Sequence, residues 1–139
     1  MNKEFYHDVK QVAAFGPVAR PSGAASIYAD LQGYEAAVLI VQSGAMGAVA
    51  ATYTWKIQES DTAGSGYTDV AAADMVDGIQ TVVFDQAVGG DAVCAKRLGY
   101  KGAKRYVKAY CTESTGGTPT SIIGATWVLG SPRHAPLAA

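Results

Sequence analysis

Apolar and polar positions alternate along this chain in short runs. Between Ala48 and Ile57 the odd positions are Val49, Ala51, Tyr53, Trp55 and Ile57, and the even ones are Ala48, Ala50, Thr52, Thr54 and Lys56. A period of two, carried by β-branched and aromatic residues, predicts a strand buried on one face. The period returns in Arg105, Val107, Ala109 and Cys111, which alternate with Tyr106, Lys108 and Tyr110. It returns again in Ile123, Ala125, Trp127 and Leu129. Tyr34 to Gln42 is nearly continuous in apolar residues, the pattern of a strand covered on both faces. Ser26 to Asp30, Ile79 to Phe84 and Ala92 to Leu98 bring the set to about seven or eight strands. Asp69 to Met75 is the one helical candidate, and it fits a single turn or an irregular strand equally well.

Turn chemistry separates these runs at Asp77-Gly78, Gly89-Gly90-Asp91, Lys101-Gly102 and Gly116-Gly117. Treating Lys101 to Lys104 as a four-residue hairpin loop places Tyr100 opposite Arg105 and Cys94 opposite Cys111. That register would allow a cross-strand disulfide, but a slip of one residue would part the thiols, and none is expected. Short strands, frequent turns and no long helix predict an all-β antiparallel sandwich or barrel. Tyr53, Trp55 and Trp127 fall on its inward positions and are the expected core anchors.

The ends differ in texture. Gly16-Pro17 and Pro21-Ser22-Gly23 interrupt the first 24 residues, and Pro132 and Pro136 favour an extended path at the C-terminus. The expected division is an N-terminal arm (1–24), a sandwich (25–129) and a C-terminal arm (130–139). Such arms are either frayed ends or segments that order on a partner. Phe5, Tyr6 and Phe15 favour the second reading, because free tails seldom carry aromatics.

A length of 139 residues, with 49% hydrophobic and 17% charged residues, fits one globular domain. The balance of 11 bases against 12 acids argues against a surface given over to nucleic acid. No apolar run approaches the ~18 residues of a membrane helix, and the first residues carry no secretory signal pattern. Two cysteines are too few for a disulfide scaffold. The two histidines, His7 and His134, lie in the arms, so no His-based metal site or hydrolase triad takes shape, and the chain carries no phosphate-loop motif. No enzyme, cofactor or metal is expected.

Charge is nevertheless unevenly placed. Seven acids and no base lie between Glu59 and Asp91, and six bases and no acid between Lys96 and Lys108. These are two solvated loops or complementary patches between subunits, with Lys101, Lys104 and Arg105 as the candidate subunit contact.

Four stretches occur in a particular order: Gly66-Tyr67-Thr68-Asp69-Val70-Ala71-Ala72-Ala73-Asp74, Tyr100 to Val107, Thr118-Pro119-Thr120, and Leu129 to Pro136. This series resembles small virion proteins of tailed bacteriophages. Length and all-β pattern resemble the capsid cement (decoration) proteins, such as the jelly-roll protein of a short-tailed Bordetella phage. The resemblance implies a jelly-roll homodimer on the outer surface of the virion that stabilises contacts between major capsid protein subunits. It implies no membrane and no direct nucleic-acid partner. Phe5, Tyr6, Phe15, Arg133 and His134 are then the candidate capsid-docking residues. The alternatives are another phage structural part (tail, fibre or head closure) and a glycan- or receptor-binding jelly roll with Trp55 and Trp127 as exposed platforms.

Overall fold

Period-two alternation becomes two packed antiparallel sheets in the computed structural model, which describes residues 6–19, 23–24, 27–44, 52–85, 94–114 and 122–132. The strands are β1 (Lys10–Ala19), β2 (Gly23–Ala24), β3 (Ala29–Asp30), β4 (Tyr34–Ser43), β5 (Thr52–Ser60), β6 (Thr68–Asp69), β7 (Thr81–Phe84), β8 (Cys94–Tyr100), β9 (Tyr106–Ser114) and β10 (Ile122–Pro132). One sheet runs β1-β10-β4-β8. In the other, β2 and β3 both pair with β9, while β6 and β7 both pair with β5. The ten segments therefore lie along eight lines, four to a sheet. Successive lines alternate between sheets except at β5 and the β6/β7 line, which are neighbours in the second sheet, and the two orders are those of a jelly roll.

Inward positions of both sheets build the core. Ala37, Leu39, Val41, Leu98, Ile123, Trp127 and Leu129 come from the first sheet, and Tyr53, Trp55, Ile57, Phe84, Val107, Ala109 and Cys111 from the second. Tyr53, Trp55 and Trp127 have no solvent exposure at all. Trp55 is in register with Cys111, and Trp127 with Leu39 and Val12.

Two expectations shift. Residues 101–105 do not close a hairpin: β8 pairs with β4 in one sheet and β9 with β5 in the other, so the loop crosses between layers. The physical reason is Tyr100, whose buried ring occupies the end of the core and whose hydroxyl donates to Glu59 Oε2 on the opposite sheet at 2.6 Å. Cys94 consequently faces Ser43, Cys111 faces Trp55, and both are free thiols.

The first boundary also moves, because Lys10–Ala19 is a full strand of the first sheet. It pairs with β10 from Lys10↔Leu129 to Ala19↔Ile122, with irregularities on either side of Phe15. Ala14 is buried and Phe15 half-buried against the core. At the other end, β10 continues to Pro132, which pairs with Tyr34. Phe5, Arg133, His134 and the turns at Gly89-Gly90-Asp91 and Gly116-Gly117 lie outside the described residues.

The helical candidate resolves into Thr68–Asp69 of β6 and two 3-10 turns, Ala72–Asp74 and Val76–Gly78. Asp77 and Gly78 take φ of 57° and 68°, the paired left-handed geometry that the Asp-Gly dipeptide favours. This segment lies along the outer edge of β8. Met75 forms an isolated bridge with Tyr100, and the Lys101 amide donates to the Asp74 carbonyl at 2.9 Å. Gly99 permits the contact, since a Cβ there would stand 2.7 Å from Val76 Cγ2.

Candidate functional site

The outer faces of the two sheets have opposite chemistry. On the second sheet, Thr54, Lys56 and Gln58 of β5 alternate with its buried positions, as do Tyr106, Lys108, Tyr110 and Thr112 of β9. Cations lie over tyrosine rings there: Lys56 Nζ is 4.7 Å from the centroid of Tyr110, Lys108 Nζ 4.5 Å from Tyr67, and Arg105 Cζ 5.0 Å from Tyr106. Tyr28 meets Tyr106 edge to face at 5.4 Å. Lys56 also pairs with Asp69 at 2.6 Å, and Gln58 Nε2 donates to the same carboxylate at 2.9 Å. These hydrogen bonds, Lys56 first, hold the Asp69 carboxyl below its ordinary range.

The basic loop is also occupied within its own chain. Arg105 grips Asp30 with two parallel bonds, Nε to Oδ1 and Nη2 to Oδ2, each 2.9 Å long. Its Nη2 also reaches Gln32 Oε1 at 2.6 Å. The guanidinium contact lowers the Asp30 pKa, with help from the Gln32 amide. Lys104 Nζ pairs with Asp61, and the Lys104 amide donates to the Tyr100 hydroxyl at 3.1 Å. Gly102 lies against the Tyr100 ring, so close that a Cβ would stand 2.5 Å from the hydroxyl oxygen. Lys104 and Arg105 thus meet acids of their own chain, whereas Lys101 engages through its backbone amide. Lys104 and Asp61 join the two segregated runs, while Arg105 and Asp69 take their partners, Asp30 and Lys56, from outside them.

The first sheet presents an apolar outer face. Across its four strands the outward rows read Gln11, Val128, Val38, Gly99 and then Ala13, Thr126, Ile40, Arg97. A third row carries Gly124, Gln42 and Ala95, with the Pro17 ring against Gly124. Among these described positions Arg97, on the edge strand, is the one charged side chain. Ile40 is 38% exposed and Ile122 56%. A shallow groove of about 560 Å³ runs over this face, bordered by Gln11, Pro17, Ile40, Gln42, Ile122 and Val128. The continuous apolar character of Tyr34 to Gln42 has here a physical location: one half of the alternation fills the core, and the other half lies on this face.

Of the docking candidates that are described, Tyr6 is 71% exposed and stands edge-on to His7 at 5.1 Å. Phe15 instead turns inward, its ring 5.3 Å from that of Trp55. Burial of Trp55 and Trp127 removes both as platforms for a glycan. Among the described residues, no three or more His, Cys, Asp or Glu gather as a metal site, and no helix is long and apolar enough to cross a membrane. Sequence reasoning missed the outer face of the first sheet as a unit. Its signal was the alternate set Ala36, Val38 and Ile40 within β4.

Comparison with known proteins gives a fold relationship. No protein-family model matches the chain, and no curated protein matches it in sequence. Among solved structures it is similar to the SPBc2 prophage-derived protein YomS, with a TM-score of 0.58 and 10% identity, over 89% of this chain and 94% of that one. At that identity the likeness is one of fold, and it extends over most of both chains.

Proposed function

We propose that this chain is a virion structural protein of a tailed phage, a capsid cement protein. In this reading it binds the outside of the head as a homodimer and braces contacts between major capsid protein subunits. The observation that supports it is the eight-line jelly roll, shared almost end to end with a prophage-derived protein. The ordered motifs 66–74, 100–107, 118–120 and 129–136 point the same way by resemblance.

The physics suits the role. A two-sheet sandwich in which Lys56, Lys104 and Arg105 each pair with an acid of their own chain can act as a strut, and no chemical step or cofactor is required. A symmetric dimer presents each shell-binding patch twice, so modest single contacts add through effective concentration. The test is to mix the full chain with phage heads that lack it and to image the pelleted particles. The reading expects regular density on the outer shell and heads that withstand more heating. Heads that stay bare at saturating protein, or protein found only at the tail or the head–tail junction, would overturn it.

A further inference from the structure

We infer that the outer face of the β1-β10-β4-β8 sheet is where two copies of this chain meet, back to back around a two-fold axis. The inference rests on the homodimer part of the reading above and supplies its surface. Its first support is chemical contrast. The other sheet's outer face is filled with lysines, tyrosines and their in-chain partners, while this face carries Val38, Ile40, Ile122 and Val128 with neutral Gln11, Gln42 and Thr126 between them. Contiguous exposed apolar patches on a soluble domain mark interaction sites.

The second support is symmetry. At an isologous interface, residues near the axis meet their own copies, so a charge there would face its like. A centre uncharged at its described positions, with Arg97 the one cation among them and on the edge strand, avoids that repulsion and leaves the guanidinium at the rim. The third support is size. Four strands at ~4.8 Å spacing and about ten residues at ~3.3 Å give a footprint of ~600 Å² per copy. Two copies then cover ~1,200 Å², which reaches the lower bound for a specific stable interface, before the relief of the side chains is counted. The groove beside Ile40 and Ile122 offers a recess for the partner's apolar side chains. Edge-to-edge pairing is less suited: β1 carries irregularities around Phe15 and a proline at position 17, both of which blunt a strand edge.

Sedimentation equilibrium of the full chain across a dilution series tests this directly. The expected result is a species of twice the chain mass that Ile40→Glu and Gln42→Lys each weaken at least 100-fold. Thr112→Glu, on the opposite outer face, should leave it unchanged. Gln42 is solvent-facing in the single chain, so Gln42→Lys keeps the test valid if Ile40→Glu disturbs folding. A wild-type monomer at ~100 μM, or variants that dimerise as tightly as wild type, would overturn the inference. Shell binding separates the two claims. A dimer that behaves as stated but leaves heads bare would sink the cement role and keep the interface. A monomer whose binding to heads is abolished by Gln42→Lys would assign this face to a capsid subunit instead.

Discussion

The ring of Phe15 stands edge to face against that of Trp55, centroids 5.3 Å apart and planes at 88°, and the contact joins β1 of one sheet to β5 of the other. Phe15→Ala would remove half-buried aromatic area together with this ring pair. Unfolding in urea should show a loss of about 2–3 kcal/mol, somewhat less than for a fully enclosed ring. Removing residues 1–19 should lower the melting temperature much further, because β1 closes one side of β10. An unchanged melting temperature after truncation would show that β1 is dispensable.

Trp55 and Trp127 are completely buried, and no acceptor among the described residues reaches either indole nitrogen. Their fluorescence should be blue-shifted and resistant to a soluble quencher until the protein unfolds. Trp127→Ala should cost on the order of 3–5 kcal/mol, whereas Trp127→Phe, which keeps most of the volume and removes the unpaired N–H, should cost clearly less. Equal losses for the two variants would contradict the packing described.

Tyr100→Phe deletes a hydroxyl that donates to Glu59 and accepts from the Lys104 amide. Both partners would lose their bond, at an expected cost of about 1–3 kcal/mol. Hydrogen exchange should accelerate at Lys104 before it does at Leu98. Unaltered exchange at Lys104 would show that the hydroxyl does not fasten the crossing loop.

Thiol reactivity should divide the cysteines. Burial pushes the Cys111 thiol up to about 12, while Cys94 is half-buried on the other sheet. At neutral pH a thiol reagent should modify Cys94 first and leave Cys111 untouched until denaturant is added. Failure to titrate both thiols after denaturation without reductant would indicate a bond between them.

Acid should weaken the Arg105–Asp30 clasp. Asp30 has a folded pKa below its ordinary value of 3.8, so its contribution is present above that value and is lost as pH falls through the folded pKa. Asp30→Asn should flatten the fall of melting temperature in that acid window and change little at neutral pH beyond a small constant offset. Both partners are surface groups, so added salt should shrink the difference. An identical acid profile for wild type and Asp30→Asn would remove the clasp from the account.

Period-two reasoning found the strands wherever one face is buried, as in β5, β9 and β10, because burial forces the alternation. It placed Asp77-Gly78 correctly, since positive φ at two successive residues strongly restricts the sequence. It failed at Lys101-Gly102, where the local turn signal is the same for a hairpin as for a loop crossing between sheets. The difference lies in long-range contacts of Tyr100 with Glu59 and of Lys104 with Asp61. β1 was obscured by Gly16-Pro17, which reads as a break but here occupies an irregular sheet edge, where proline costs no ladder bond. The candidate site was half visible: the apolar run in β4 was plain, but which half of it faced outward required the neighbouring strands.

The position of β10 governs when this molecule can assume its shape. It is the last of the described strands, yet it lies second in its sheet, bonded to β1 on one side and to β4 on the other. While a ribosome is still making the chain, β1 and β4 have no common neighbour, and the half of the sandwich that contains them has a gap at its centre. Closure therefore waits on contacts between residues more than a hundred positions apart, a topology that folds slowly compared with locally paired strands. During that interval the apolar rows of β4 and the unpaired edge of β1 are both open to other nascent chains. Synthesis rate and chaperone supply, rather than final stability, should set the yield of folded protein when many copies are made at once.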